Sequence, residues 1–290
     1  MRKTLLCLSF FLFTCFVIHA QKVSGKLSFE QGKTLTITVD VKNTIAQQAM
    51  GQSIDFNVTG KATHFYTATN VAEDFFTLHH EAKQMSFAFD GMGAKKNFSS
   101  DNKKDMDGQL GEPIKKLLSQ KYDLIIDPTG KAVMVNPEKF EAPKTDERLV
   151  VIVNMLKDLT GIVNPPQKGT NSFFKVLPDN EVGIGDSWTV ENNTENERST
   201  TVHTLSAITD STIVVDFTSK ATTTQKGEMM GMETSTNMKS TTTGKIILDK
   251  TTGIIKEKTS TTDATGNTEA MGNSMPVTGK MTITIVVSKS

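Results

Sequence analysis

The chain has 290 residues, and its 32 Lys and Arg balance its 32 Asp and Glu, so the formal net charge is zero. That balance excludes the basic footprint of a nucleic-acid binder or of a protein held on an anionic membrane surface. Its two cysteines, Cys7 and Cys15, both lie near the start, which excludes a disulfide-stapled scaffold and a cysteine-ligated metal site from everything downstream.

Residues 1–20 read as a secretory signal peptide. Met1, Arg2 and Lys3 form a basic start, an apolar run extends from Leu5 to Ile18, and the small Ala20 precedes Gln21. The run is shorter than the roughly 20 residues of a membrane-spanning helix. Acylation at Cys15 is disfavoured by Phe13, Thr14 and Phe16 around it. Export to the periplasm or the exterior is therefore expected, with cleavage after Ala20 and one β-rich domain from Gln21 to Ser290.

The N-terminal half, 21–165, opens on Glu30-Gln31-Gly32-Lys33, which reads as a hairpin turn. Leu35, Ile37, Val39 and Val41 alternate along a strand, as do Ile54, Phe56 and Val58, then Met85, Phe87 and Phe89. Ser100–Gly108 resembles a calcium loop only superficially. With glycine at the sixth position, Lys103 falls where the first ligand belongs and Ile114 where the glutamate belongs, so a solvated link is expected. Leu110, Ile114, Leu117 and Leu118 share one helical face, with Pro113 in the first turn. Tyr122, Leu124 and Ile126 alternate into Asp127-Pro128-Thr129-Gly130, and Val133 and Val135 return, which predicts a hairpin. A second helix is predicted through Leu149, Ile152, Leu156 and Leu159, started by Thr145-Asp146-Glu147 and ended by Gly161.

The C-terminal half, 166–290, reads as nearly pure β. Strands are expected near Ser172–Leu177, Ser187–Val190, Ser199–Ile208, Thr212–Thr224, Glu233–Leu248, Ile254–Thr265 and Val277–Ser288, joined by short turns into a meander. Their many threonines suit a polar outer face while β-branching favours strand geometry. The fold class is therefore α+β and mainly β: a long curved antiparallel meander, half-barrel-like, with two helices on its concave face.

The phrase Leu177-Pro178-Asp179-Asn180-Glu181-Val182-Gly183-Ile184-Gly185-Asp186-Ser187-Trp188 and the Leu124–Val135 hairpin with its Pro-x-Gly-Lys turn carry a resemblance. On these motifs the chain resembles a family of exported bacterial proteins of unknown function over most of Gln21–Ser290. At the level of fold it is also similar to the half-barrels of periplasmic lipoprotein carriers. That likeness implies an acyl-chain site between sheet and helices and implies no chemistry.

Chemical constellations are sparse. Gly185-Asp186-Ser187-Trp188 resembles an esterase nucleophile block, but a strand follows it and no histidine lies beyond His203, so it reads as a turn that buries Trp188. His79 and His80 adjoin on a strand and should face opposite sides, while His64 and His203 read as isolated. Methionines concentrate late in the chain. Placing Leu248 opposite Ile254 sets Met232 against Ala270, and then Met230, Met232, Met271 and Met275 gather at one end of the sheet. Thioethers there suit Cu(I) or, more readily, apolar packing.

The expected function is that of an exported, non-enzymatic binding module for a lipid or another apolar small molecule, without a cofactor and without nucleic acid. Leu149, Ile152, Leu156 and Leu159 would line the ligand. The alternative is a structural or interaction protein with an envelope partner, and a Cu(I) protein comes third.

Overall fold

Period-two alternation over long stretches forces this chain into strands, and the strands are unusually long. A computed structural model describes residues 21–49, 52–91, 93–137, 159, 161, 165–229, 232–270 and 272–289. Residues 1–20, read above as a signal peptide, and most of the predicted second helix, including Leu149, Ile152 and Leu156, lie outside them.

In chain order the N-terminal elements are β1 (Lys22–Val23), β2 (Thr34–Ala49), β3 (Gln52–Val71), β4 (Phe76–Gly91), β5 (Ala94–Ser99), α1 (Lys103–Met106), α2 (Gly111–Ser119), β6 (Lys121–Ile126) and β7 (Ala132–Asn136). The C-terminal elements are β8 (Val182–Gly183), β9 (Ser187–Asn193), β10 (Glu197–Ile208), β11 (Thr212–Met229), β12 (Met232–Asp249), β13 (Ile255–Ala270) and β14 (Asn273–Lys289). Among the described residues this is a mainly-β protein with few helices, built on one large antiparallel sheet that does not close.

The sheet order is β7-β6-β4-β3-β2-β14-β13-β12-β11-β10-β9, with β5 pairing β4 off this path. The C-terminal meander is as expected. The join between halves is a finding: β14, the last strand, pairs with β2, matching Ile285 to Val39 and Ile283 to Val41.

One face of the sheet carries the core. In β2 it presents Leu35, Ile37, Val39 and Val41, all buried, and in β3 and β4 Val58, Tyr66, Leu78 and Met85. These belong to one apolar cluster, which also takes in Ile114 and Leu117 of α2. A second cluster under the C-terminal meander holds Leu205, Ile213, Val215, Phe217, Ile246 and Leu248. The segment from Ser172 to Val182 ties the two together. Phe174 is buried in the first cluster, Leu177 and Val182 in the second, and Phe173 packs against both.

Several local expectations change. Ser172–Leu177 is not a strand; it crosses the core face as an irregular segment, because its Phe174 and Leu177 enter different clusters. Gly32 makes its turn, with the Lys33 amide donating to the Glu30 carbonyl, but no hairpin results because β2 pairs with β3 and β14 instead. Part of the Ser100–Gly108 link is the short helix α1, capped where the Asn102 side chain accepts from the Lys104 amide.

The C-terminal register also departs from the simple reading. Thr234, and not Met232, faces Ala270, and Leu248 pairs with Ile255. The turn is the cause. Asp249 donates its amide to the Ile254 carbonyl and its carboxylate accepts from the Thr251 and Thr252 amides, which withdraws Ile254 from the ladder. A β-bulge follows, where Ile247 pairs with Glu257 and Leu248 with Ile255, leaving Lys256 unopposed.

Candidate functional site

The hairpin and the long phrase that carry the family resemblance meet in space. Asp179 accepts from Lys131 Nζ at 2.8 Å and from Lys175 Nζ at 2.5 Å, and these hydrogen bonds hold its carboxyl at about 2. Gly130, at φ +89°, lies against Lys175 and Leu27 where a Cβ would crowd both. Lys175 is almost buried and also donates to the Thr129 carbonyl. The arrangement staples the crossing segment to the sheet, which explains the motifs without chemistry.

Gly185-Asp186-Ser187 is a turn. Asp186 accepts from the Gly183 amide at 2.8 Å and Ser187 Oγ shares a hydrogen bond with Thr204 Oγ1. Trp188, however, is half-buried and not a core residue, because β9 is the last strand of the sheet and no strand among the described residues pairs beyond it.

Two polar constellations lie on the core face. The first is sealed. His64 and His80 are fully buried and share a hydrogen bond between Nδ1 and Nε2 at 3.2 Å. Tyr66 and Tyr122 share another at 2.7 Å, and His80 stacks on Tyr122 with centroids 4.4 Å apart. His64 is therefore not isolated; a bulge in the β3–β4 ladder lets it reach His80. His79 points the other way and meets Asp123 at 2.7 Å. Burial lowers His64 to about 4 and His80 to about 3, and raises the Tyr122 phenol well above its ordinary value. Leu159 is helical and fully buried, with its backbone beside His64. It is the one predicted wall residue within the described part.

The second constellation is half-open. Trp188, His203 and Phe217 come from neighbouring strands β9, β10 and β11. Trp188 and His203 stack at 5.4 Å and 8°, and His203 lies 5.9 Å from Phe217. Lys258 Nζ lies 5.3 Å from the Phe217 ring centroid. Gly244, the cross-strand partner of Phe217, makes room for that ring: a Cβ would fall 2.5 Å from Phe217 and 2.4 Å from the Thr259 carbonyl. Gly244→Val is thus expected to cost about 1–3 kcal/mol through overpacking, read as a lowered urea midpoint at constant slope. Further along the same face the residues are small: Thr242 and Ser240 on β12, Ser260, Thr262 and Ala264 on β13. The sequence did reveal the residue types, but the row becomes visible only once strand register is known.

The opposite face is polar. A groove of about 870 Å³ there is lined by Glu191, Arg198, Lys220, Lys239, Thr241 and Asp263, and one of about 610 Å³ at the strand tips by Lys226, Glu233 and Glu269 among others. Neither is apolar. Of the predicted methionine site, Met230 and Met271 lie outside the described residues. Met275 is aligned with Thr236 through Thr268, which places the Met232 backbone roughly 16 Å away at ordinary strand spacing and rise. Among the described residues no cluster of three or more His, Asp or Glu could hold a metal.

A family model described as "Family of unknown function (DUF6263)" matches residues 73–255. No curated protein matches the chain. Among solved structures, one described as "Lipid-protein interactions in lipovitellin" is similar at a TM-score of 0.52 and 10% identity, over 91% of this chain. The chain spans only 26% of that protein's length. An outer-membrane channel from Pseudomonas putida F1 is similar at a TM-score of 0.26 and 5% identity, covering 91% of this chain and 98% of the channel; a score that low carries no fold argument.

Proposed function

The chain belongs to the DUF6263 family of unknown function, and we propose that it is an exported, non-enzymatic module that binds a lipid or another amphipathic molecule on the core face of its open sheet. One observation carries this reading. The face that bears both apolar clusters also keeps large apolar side chains only partly covered, Ile45, Met281 and Ile283 on β2 and β14, directly beside the small-residue floor of β12 and β13. Small side chains leave volume above a sheet, and half-covered apolar ones gain by covering it. The opposite face, charged and threonine-rich, offers neither. The fold likeness to lipovitellin, a protein described through its lipid interactions, is consistent with the same use of a broad open sheet.

Export follows from the reading of residues 1–20. Exported protein is expected to begin at Gln21, which its intact mass checks. Native mass spectrometry of that protein, with uptake of a fluorescent fatty acid by delipidated protein, tests the binding reading. Co-purifying amphiphile or saturable uptake supports it. A well-folded protein that carries nothing and takes up nothing removes it.

A further inference from the structure

We propose that Lys258 anchors the single anionic headgroup, a carboxylate or phosphate, of an acyl-chain ligand lying across the core face of the C-terminal meander. The proposal rests on the binding reading above and adds the headgroup chemistry.

The bulge at Lys256 is what places Lys258. Strand residues alternate faces, so Ile255, buried in the core, should be followed inward by Glu257. The extra residue reverses the alternation. Glu257 pairs with Ile247, while Lys258 pairs with buried Ile246 on one side and with buried Ile285 on the other. Bulges commonly re-aim a side chain in this way. Lys220, Lys226, Lys239, Lys245 and Lys280 of these strands stand in the outward register, the ordinary solvated place for a lysine, and Lys289, at the end of β14, has Glu30 as its partner.

Lys258 has no carboxylate partner among the described residues. Its ammonium meets the Phe217 ring at 5.3 Å, a cation–π contact, and lies close enough to His203 to disfavour a second positive charge there. Part of the residue stays exposed, but its ammonium end is desolvated enough to lower the pKa. Unpaired cations on an apolar face are unfavourable and rare without a bound counter-charge. Beside it, His203 Nδ1 is buried without a hydrogen-bond partner. A headgroup at this point would gain an ion pair from Lys258, with His203 Nδ1–H as a second donor in the matching tautomer. The acyl chain would then run along the strands over Ser260, Thr262 and Ala264, beside Ile283 and Met281.

Trp188 is the only tryptophan and stacks on His203, so its emission reports on this site directly. Titrations of delipidated protein with oleate, oleoyl lysophosphatidic acid and oleyl alcohol separate charge from chain. Wild type should bind at least one of the two anions roughly tenfold or more tighter than the alcohol, the scale of a charge-assisted hydrogen bond. Preference confined to oleate marks a fatty acid, and preference confined to the phosphate marks a phospholipid. In Lys258→Met the preference should vanish while alcohol affinity and the thermal midpoint are retained, and Glu257→Gln, on the outward face, should change nothing. If all three probes bind wild type equally, or Lys258→Met keeps the preference, the anchor is refuted and the carrier reading stands. If none binds, the carrier reading itself fails.

Discussion

Acidification from about pH 7 to about pH 4 is expected to remove on the order of 5 kcal/mol of folding stability, with most of the loss traced to two histidines. His64 and His80 are fully buried, and their folded pKa values fall to about 4 and about 3 from an ordinary value near 6.5. The cause in both is desolvation of the imidazolium, reinforced in His80 by its histidine neighbours. The unfolded chain therefore binds protons that the folded chain refuses. Their contribution is fully present above about pH 6.5 and is lost as pH falls toward the folded values. Every tenfold loss of proton affinity on folding corresponds to about 1.4 kcal/mol. The pair contributes less than two independent histidines would, because the rings share a hydrogen bond and titrate together. Carboxylates such as Glu81, held at about 2 by Lys121 and Lys83, begin to lose their contribution only below their unfolded value of about 4.5, so a decline between about pH 6.5 and about pH 4.5 belongs to the histidines. Urea melts across this range should show the decline. The double variant His64→Leu, His80→Phe replaces both partners by apolar groups of similar shape, so it should fold at neutral pH and reduce the dependence to the share of His203, which burial also lowers to about 4. A wild type whose stability is level between about pH 6.5 and about pH 4.5 would contradict the buried, neutral assignment.

Phe174→Ala is expected to cost about 3–5 kcal/mol, the scale of a fully buried aromatic truncation. Its ring is completely enclosed and meets Phe29, Tyr66 and Phe173 edge to face, with centroids between 5.3 and 5.4 Å apart. It also fixes the crossing segment that leads to the Asp179 staple. Trp188→Ala, by contrast, should cost only about 1–2 kcal/mol, because an edge strand leaves the indole half in solvent and a partly buried ring loses less on truncation. Urea midpoints of the two variants, with unchanged slopes, decide the order. The reverse order would mean that the sheet edge is covered in solution.

The sequence alone determines the strand-rich class, the C-terminal meander, the Tyr122–Val135 hairpin and the α2 helix through Ile114 and Leu117. Each is written in a local period, two for strands and near 3.6 for helices, or in a turn such as Asp127-Pro128-Thr129-Gly130, and needs no distant partner to be read. Alternation also separates the core-facing side chains of β2, and it sends His79 and His80 to opposite faces. Only the tertiary structure decides which distant strands meet. Pairing of β14 with β2 brings together residues more than two hundred positions apart, and no local pattern specifies a partner. Bulges act in the same way. One lets His64 reach His80, and another turns Lys258 inward in place of Glu257, because a single extra residue reverses every face beyond it. The register of the β12–β13 turn, set by the Asp249 carboxylate, moved Ala270 from Met232 to Thr234. The residues that define the candidate site, Trp188, His203, Phe217 and Lys258, are ordinary in sequence. They become a site because register and one bulge place them on a single face.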